Sequence, residues 1–160
     1  MSIKTGERMP AGKFKVMAEG GPQELTTAQL FDGKRVVLFS VPGAFTPTCS
    51  ARHLPGYIDH ASELRAKGVD TIACMAVNDV YVMGAWGKSA GAGDAVVMLA
   101  DGSGEYARAL GLELDLMGAG LGMRGQRFAL LVDNGIATKV LVEGPGEFKI
   151  SAADYLLGQL

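Results

Sequence analysis

Cysteine is nearly absent: Cys49 and Cys74 are the only two in 160 residues, and no Cys-x-x-Cys occurs. Two thiols cannot make the disulfide framework of a small secreted domain, and a thioredoxin-type disulfide reductase lacks its motif here. Long hydrophobic runs are missing as well. Val36–Phe39 and Phe128–Val132 fall far short of the ~20 residues that span a bilayer. An excess of one charge is also lacking. Lys plus Arg (15) nearly balance Asp plus Glu (17), for a formal net charge of −2, which argues against a polycationic nucleic-acid binder. The first ten residues carry Lys4, Glu7 and Arg8, where a signal peptide would need an apolar stretch. The expectation is a cytoplasmic protein with free thiols and neither a membrane nor a nucleic-acid partner.

What is present is the composition of one globular domain over residues 1–160, with 48% apolar and 20% charged residues. Glycine is frequent, at 23 residues, but it is dispersed, as turns require. A short strand is expected to begin at Phe14-Lys15-Val16. Thr26-Thr27-Ala28-Gln29 fits a capping box for a short helix that ends near Gly33. Arg35–Val41 and Val69–Val77 read as buried parallel strands. Between them, Leu54, Tyr57, Ile58, Ala61 and Leu64 predict one helix from about Pro47 to Lys67, kinked at Pro55 and stopped by Gly68.

Asn78 is the expected cap of the next helix, which carries Val82, Met83 and Trp86 on one side. Ala95–Ala100 is a third strand, followed by a loop and short helix over Asp101–Leu110. The glycine-rich Gly118–Gly125 segment leads to a strand at Phe128–Asp133. Asn134-Gly135 is a hairpin turn to Thr138–Glu143, and Ser151 is the cap-like start of a last helix. This order predicts an α/β protein whose central sheet has helices on both faces.

The segment Val41-Pro42-Gly43-Ala44-Phe45-Thr46-Pro47-Thr48-Cys49-Ser50 carries the chemistry. It leaves a buried strand and opens a helix, with Thr46 as a plausible N-cap and Pro47 suited to the first helical position. Cys49 then falls in the first turn, where the helix dipole favours thiolate over thiol. A lone cysteine is also a small buried hydrophobe, and the local pattern leaves both readings open. Cys49 and His53 are four apart and invite a zinc site or a Cys–His pair. No second ligand pair lies at metal spacing, so both are set aside.

Pro42, Thr46 and Cys49 reproduce a Pro-x-x-x-Thr-x-x-Cys signature, and the longer string PGAFTPTCS resembles the type II, or peroxiredoxin-5-like, peroxiredoxins. His53-Leu54-Pro55-Gly56-Tyr57, Ala76-Val77-Asn78-Asp79, Leu99-Ala100-Asp101-Gly102 and Arg127-Phe128-Ala129-Leu130 extend the resemblance in order along almost the whole chain.

The resemblance implies a thioredoxin-like fold with a central mixed sheet. It also implies a thiol-dependent peroxidase acting on hydrogen peroxide and alkyl hydroperoxides. Carried over by residue, Cys49 would be the peroxidatic cysteine, Thr46 a hydroxyl partner of thiolate and peroxide, Pro42 a shield, and Arg127 the cation beside the sulfur. Arg124 is a nearby competitor for that last role. No metal, haem, flavin or nucleotide cofactor is implied.

Relatives often resolve the oxidised cysteine with another near the C-terminus, where this chain has Ser151. An external thiol (glutathione, glutaredoxin or thioredoxin) is therefore the favoured reductant, with Cys74 as the possible internal resolving residue. A homodimer is expected from the resemblance, using the Phe45 region and the exposed side of the Met83/Trp86 helix. A rival reading is a redox sensor that passes oxidation to a partner without efficient turnover.

Overall fold

A computed structural model describes residues 1–160 and contains nine strands and six α-helices. Strands β1 (Lys13–Ala18), β2 (Gly21–Thr26), β3 (Arg35–Ser40), β4 (Thr71–Ala76), β5 (Val97–Ala100), β8 (Phe128–Asp133) and β9 (Ile136–Val142) form one mixed sheet in the order β2-β1-β5-β4-β3-β8-β9. The central β5, β4 and β3 run parallel, and every other pairing is antiparallel. Strands β6 (Glu113–Leu116) and β7 (Gly122–Gly125) make a separate hairpin. That hairpin and β2 escape the hydropathy reading because neither buries a continuous apolar face.

The apolar run of β3 divides by the two-residue pleat between two cores. Val37, Phe39 and Val41 point to one face with Cys74, Leu54, Tyr57, Leu64 and Trp86, while Val36 and Leu38 join Met75, Leu99 and Phe128 on the other. Helices α2 (Leu54–Asp59), α3 (Ala61–Ala66), α4 (Val80–Ala90) and α6 (Ala153–Leu157) contribute to the first core; α1 (Thr27–Phe31) and α5 (Glu105–Ala109) contribute to the second. No helix is long and apolar enough to cross a membrane.

Several local expectations hold. Thr26 and Gln29 form the complete capping box of α1, and Gly68 ends α3 at φ +94°. Asn134 and Gly135 both take positive φ (47° and 81°) in the β8–β9 turn, as a type I′ hairpin requires. Others need correction. The single kinked helix over Pro47–Lys67 is instead a π-helical turn at Cys49–His53 followed by α2 and α3, which part at His60. Pro55 does not kink a helix interior. It sits in the first turn of α2, and the wider turn before it spares the clash that its ring makes in α-register.

Asp79, not Asn78, caps α4, its Oδ1 accepting from Val82 N at 2.8 Å. Ser151 does not cap α6, whose N-cap is Ala152. Met83 and Trp86 are buried, so the outward residues of that region are Tyr81 (67% exposed) and Phe45 (52%).

Phe39 lies fully buried with its ring stacked 4.0 Å from that of Tyr57. Phe39→Ala is expected to cost about 3–5 kcal/mol of unfolding free energy by urea titration. A loss below about 1 kcal/mol would contradict this placement of the core.

Candidate active site

The site is built where the chain leaves the carboxyl end of β3, the edge at which open α/β sheets expose loops and helix starts. Val41 N still donates to Met75 O, after which residues 42–48 turn back over the sheet. Phe45 takes a left-handed φ of 63°, and Thr46 Oγ1 donates to Gly43 O at 2.7 Å. A Cβ on Gly43 would lie 3.1 Å from Thr46 Cγ2 and 3.2 Å from an Arg124 nitrogen, so a side chain there would crowd the turn. Asn78 reaches across from the end of β4, its Oδ1 accepting from Ala44 N at 2.9 Å. The residue expected as a helix cap is thus a clamp on the loop. Likewise Thr46 uses its hydroxyl on Gly43 and not as a side-chain cap.

Cys49 lies in the π-helical turn, closed by the Leu54 N–H donating to Cys49 O. Its side chain and that of His53 are both fully buried. Arg127, which precedes β8, points both arms of its guanidinium at them. Nη2 donates to Cys49 Sγ at 3.2 Å and Nη1 donates to His53 Nδ1 at 2.8 Å. Arginine has no acceptor, so Nδ1 must be the bare nitrogen and Nε2 carries the proton. That Nε2 donates in turn to Ser151 O at 3.1 Å, a carbonyl that also accepts from Tyr57 Oη at 2.7 Å.

Beyond Ser151 stands Glu143. Its Oε2 accepts from the Ser151 amide, the Ser151 hydroxyl and the Lys149 amide at 2.6–2.8 Å. Burial alone would raise the Glu143 carboxyl, but these hydrogen bonds outweigh it and hold the group below its ordinary value. His53 is lowered to about 3 by burial and by the facing charge of Arg127, against the opposing pull of the Ser151 carbonyl and Glu143.

Arg124, the competitor for the place beside the sulfur, instead braces loops. It donates to the carbonyls of Leu121, Val77 and Pro42. Cys74 is fully buried on β4, and both cysteines are free. Burial pushes the Cys74 thiol well up, the nearby Cys49 adds to the rise, and Arg127 opposes it. A cleft of about 410 Å³ opens against Pro42, Thr48, Arg127 and Phe148. Phe148 also lies over the guanidinium carbon of Arg52 (4.8 Å) and against the His53 ring (4.9 Å).

The structure therefore brings Cys49 and Arg127 into contact, with Thr46 and Pro42 on the loop just before the π-helical turn. His53, Glu143, Ser151 and Asn78 belong to the same constellation; Asn78 and Ser151 were expected as helix caps, and Glu143 had no assigned part in the sequence reading. The four-residue spacing from Cys49 did flag His53, with a metal or a nucleophilic pair as the imagined partner. Glu143 and Ser151 are more than 90 residues away in sequence, and no local pattern marks them.

Comparison with known proteins agrees along the chain. Residues 4–157 match the Redoxin family. The chain is 50% identical over 159 residues to Peroxiredoxin-2B of Arabidopsis thaliana, covering 99% of this chain and 98% of the relative. It is 49% identical to Peroxiredoxin-2C of Oryza sativa subsp. japonica, at 99% and 98% coverage. Among solved structures it is similar to reduced Prx3 in complex with H2O2 from Vibrio vulnificus, with a TM-score of 0.94, 47% identity and 98% of each chain covered.

The unfolded chain binds more protons at His53 between its ordinary 6.5 and the folded value of about 3. Stability must therefore fall as pH drops through 6.5, by at most about 1.4 kcal/mol per unit. Glu143 acts in the same sense, but only below its ordinary 4.5. Urea unfolding between pH 6.5 and 4.5 should show a decline that His53→Asn flattens. A variant profile parallel to wild type would contradict a neutral buried imidazole.

Proposed function

The chain belongs to the redoxin family as a peroxiredoxin, a thiol peroxidase with a thioredoxin-like fold, and on that premise we propose that Cys49 is its peroxidatic residue. The observation that carries this assignment is the guanidinium of Arg127, 3.2 Å from Cys49 Sγ.

The thiolate sulfur of Cys49 attacks the terminal oxygen of hydrogen peroxide or an alkyl hydroperoxide. An S–O bond forms as the O–O bond breaks, and two electrons pass from sulfur to the peroxide. The departing hydroxide or alkoxide takes a proton, leaving Cys49 as sulfenic acid. Ionisation alone cannot account for fast chemistry. An ordinary thiol of pKa about 8.5 is roughly 3% ionised at pH 7, so complete ionisation gains only about 30-fold, or about 2 kcal/mol. The rest must come from orienting the peroxide and stabilising charge on the separating oxygens.

Arg127 supplies fixed donors beside the sulfur, where the attacked oxygens separate and that charge develops. The Thr46 hydroxyl, whose proton is directed at Gly43 O, offers its lone pairs to the O–H of the incoming peroxide. Pro42, half-buried at the cleft, keeps bulk water from the reacting sulfur.

An external thiol then condenses with the sulfenic acid, releasing water and leaving a mixed disulfide. A second thiol frees Cys49 and carries away the new disulfide. Glutathione with glutaredoxin, or thioredoxin, fits this scheme. Cys74 is the less favoured partner, because it is sealed in β4 and burial disfavours its thiolate. Free thiols suit the reducing cytoplasm, our proposed compartment. A homodimer that covers Phe45 and Tyr81 accords with their exposure.

Cys49→Ser should abolish peroxide consumption with any thiol, whereas Cys74→Ser should retain turnover with glutathione and glutaredoxin. Consumption that stops after one equivalent in excess reductant would favour the sensor reading instead. Thr46→Val should cut the peroxide rate constant by about 100-fold and change the Cys49 thiolate fraction far less, as read by ultraviolet absorbance against pH. Equal losses in both would contradict the role given to Thr46.

A further inference from the structure

We propose that His53 is a positioning residue for Arg127, and that the strap from Glu143 to Ser151 acts on the active site through it. The proposal rests on the reading of Cys49 and Arg127 given above and adds residues that touch neither peroxide nor sulfur. A guanidinium has two outer arms in one rigid plane, so fixing one arm aims the other. In this site the second arm is fixed by a single acceptor, His53 Nδ1, at 2.8 Å.

That nitrogen is an acceptor only in one tautomer, and the tautomer is chosen from the far side of the ring. The Ser151 carbonyl can only accept, so it draws the ring proton to Nε2 at 3.1 Å and leaves Nδ1 bare towards Arg127. The other tautomer would set an N–H against the guanidinium and leave Nε2 facing a carbonyl with no proton to share.

The strap is held in place for this purpose by a carboxylate. Glu143, buried at the end of β9, receives the Ser151 amide and hydroxyl and the Lys149 amide on one oxygen. Phe39, Tyr57 and Phe148 pack around the buried imidazole, with ring centroids 4.9–5.7 Å away. A series of four contacts results: Glu143 fixes Ser151, Ser151 selects the His53 tautomer, His53 aims Arg127, and Arg127 meets Cys49. Movement of the strap would misdirect the guanidinium with no residue of the cleft replaced.

The test is the rate constant for reduced protein with hydrogen peroxide in three variants. His53→Asn places an amide oxygen at the position of Nδ1 and should recover most of the wild-type rate. His53→Gln, whose amide reaches the Nε2 position, and His53→Leu, which fills the apolar pocket, should each lose roughly 10- to 100-fold. Near-wild-type rates in folded His53→Leu, or Asn and Leu falling equally, would overturn the proposal.

Nitrogen-15 NMR of the wild-type histidines adds a readout that needs no variant to fold. His53 should show a protonated Nε2 and a bare Nδ1 at neutral pH, and a protonated Nδ1 would overturn the proposal. A wild-type chain whose Cys49 does not react with peroxide would overturn the assignment of Cys49, a result distinct from either of these.

Discussion

The guanidinium of Arg127 meets two fully buried groups at once, the sulfur of Cys49 and the imidazole of His53. Everything else in the site serves to make that double contact possible. A cation brought to a buried edge needs acceptors that are fixed before it arrives, because an unpaired charge there carries a heavy desolvation cost. Neutral His53 provides one such acceptor without adding a competing full charge. The sulfur, which we propose as the peroxidatic atom, provides the other.

The fold supplies both partners from opposite directions. Cys49 and His53 come from the turn that follows β3, while Arg127 comes from the residue before β8, the antiparallel neighbour of β3. Their closeness is thus a consequence of strand register, with Ser40 opposite Phe128. The π-helical turn then lets Cys49 and His53 both face inward. Asn78, at the end of the parallel neighbour β4, ties the preceding loop through Ala44. Three adjacent strands converge on one short segment, which explains why a loop-borne cysteine can be held with so little freedom.

Much of this was legible in the sequence where the cause was local. The continuous apolar run of β3, the capping box at Thr26 and the Asn134-Gly135 turn act within a few residues, and each was read correctly. The string around Cys49, continued to Arg127, identified the family and the sulfur's neighbour. Reading failed where a residue's partner is remote. Asn78 and Ser151 have side chains suited to helix caps, yet each satisfies a distant group, Ala44 N and Glu143 respectively. His53 was noticed for its spacing from Cys49, but its partners Arg127 and Ser151 lie 74 and 98 residues away. Pro55 misled because a proline within an apolar period looks the same whether it kinks one helix or begins another.

The account stands on the forked contact of Arg127, and substitution by lysine isolates it. Lysine keeps the positive charge but is a point donor that cannot serve both Cys49 and His53 in one plane. The decisive measurement is the stopped-flow rate of reduced Arg127→Lys with hydrogen peroxide, followed through Trp86, whose indole donates to Ser50 Oγ beside Cys49. The expected result is a rate constant lower by about 100-fold or more. A rate equal to wild type would show that charge alone suffices, and would contradict it.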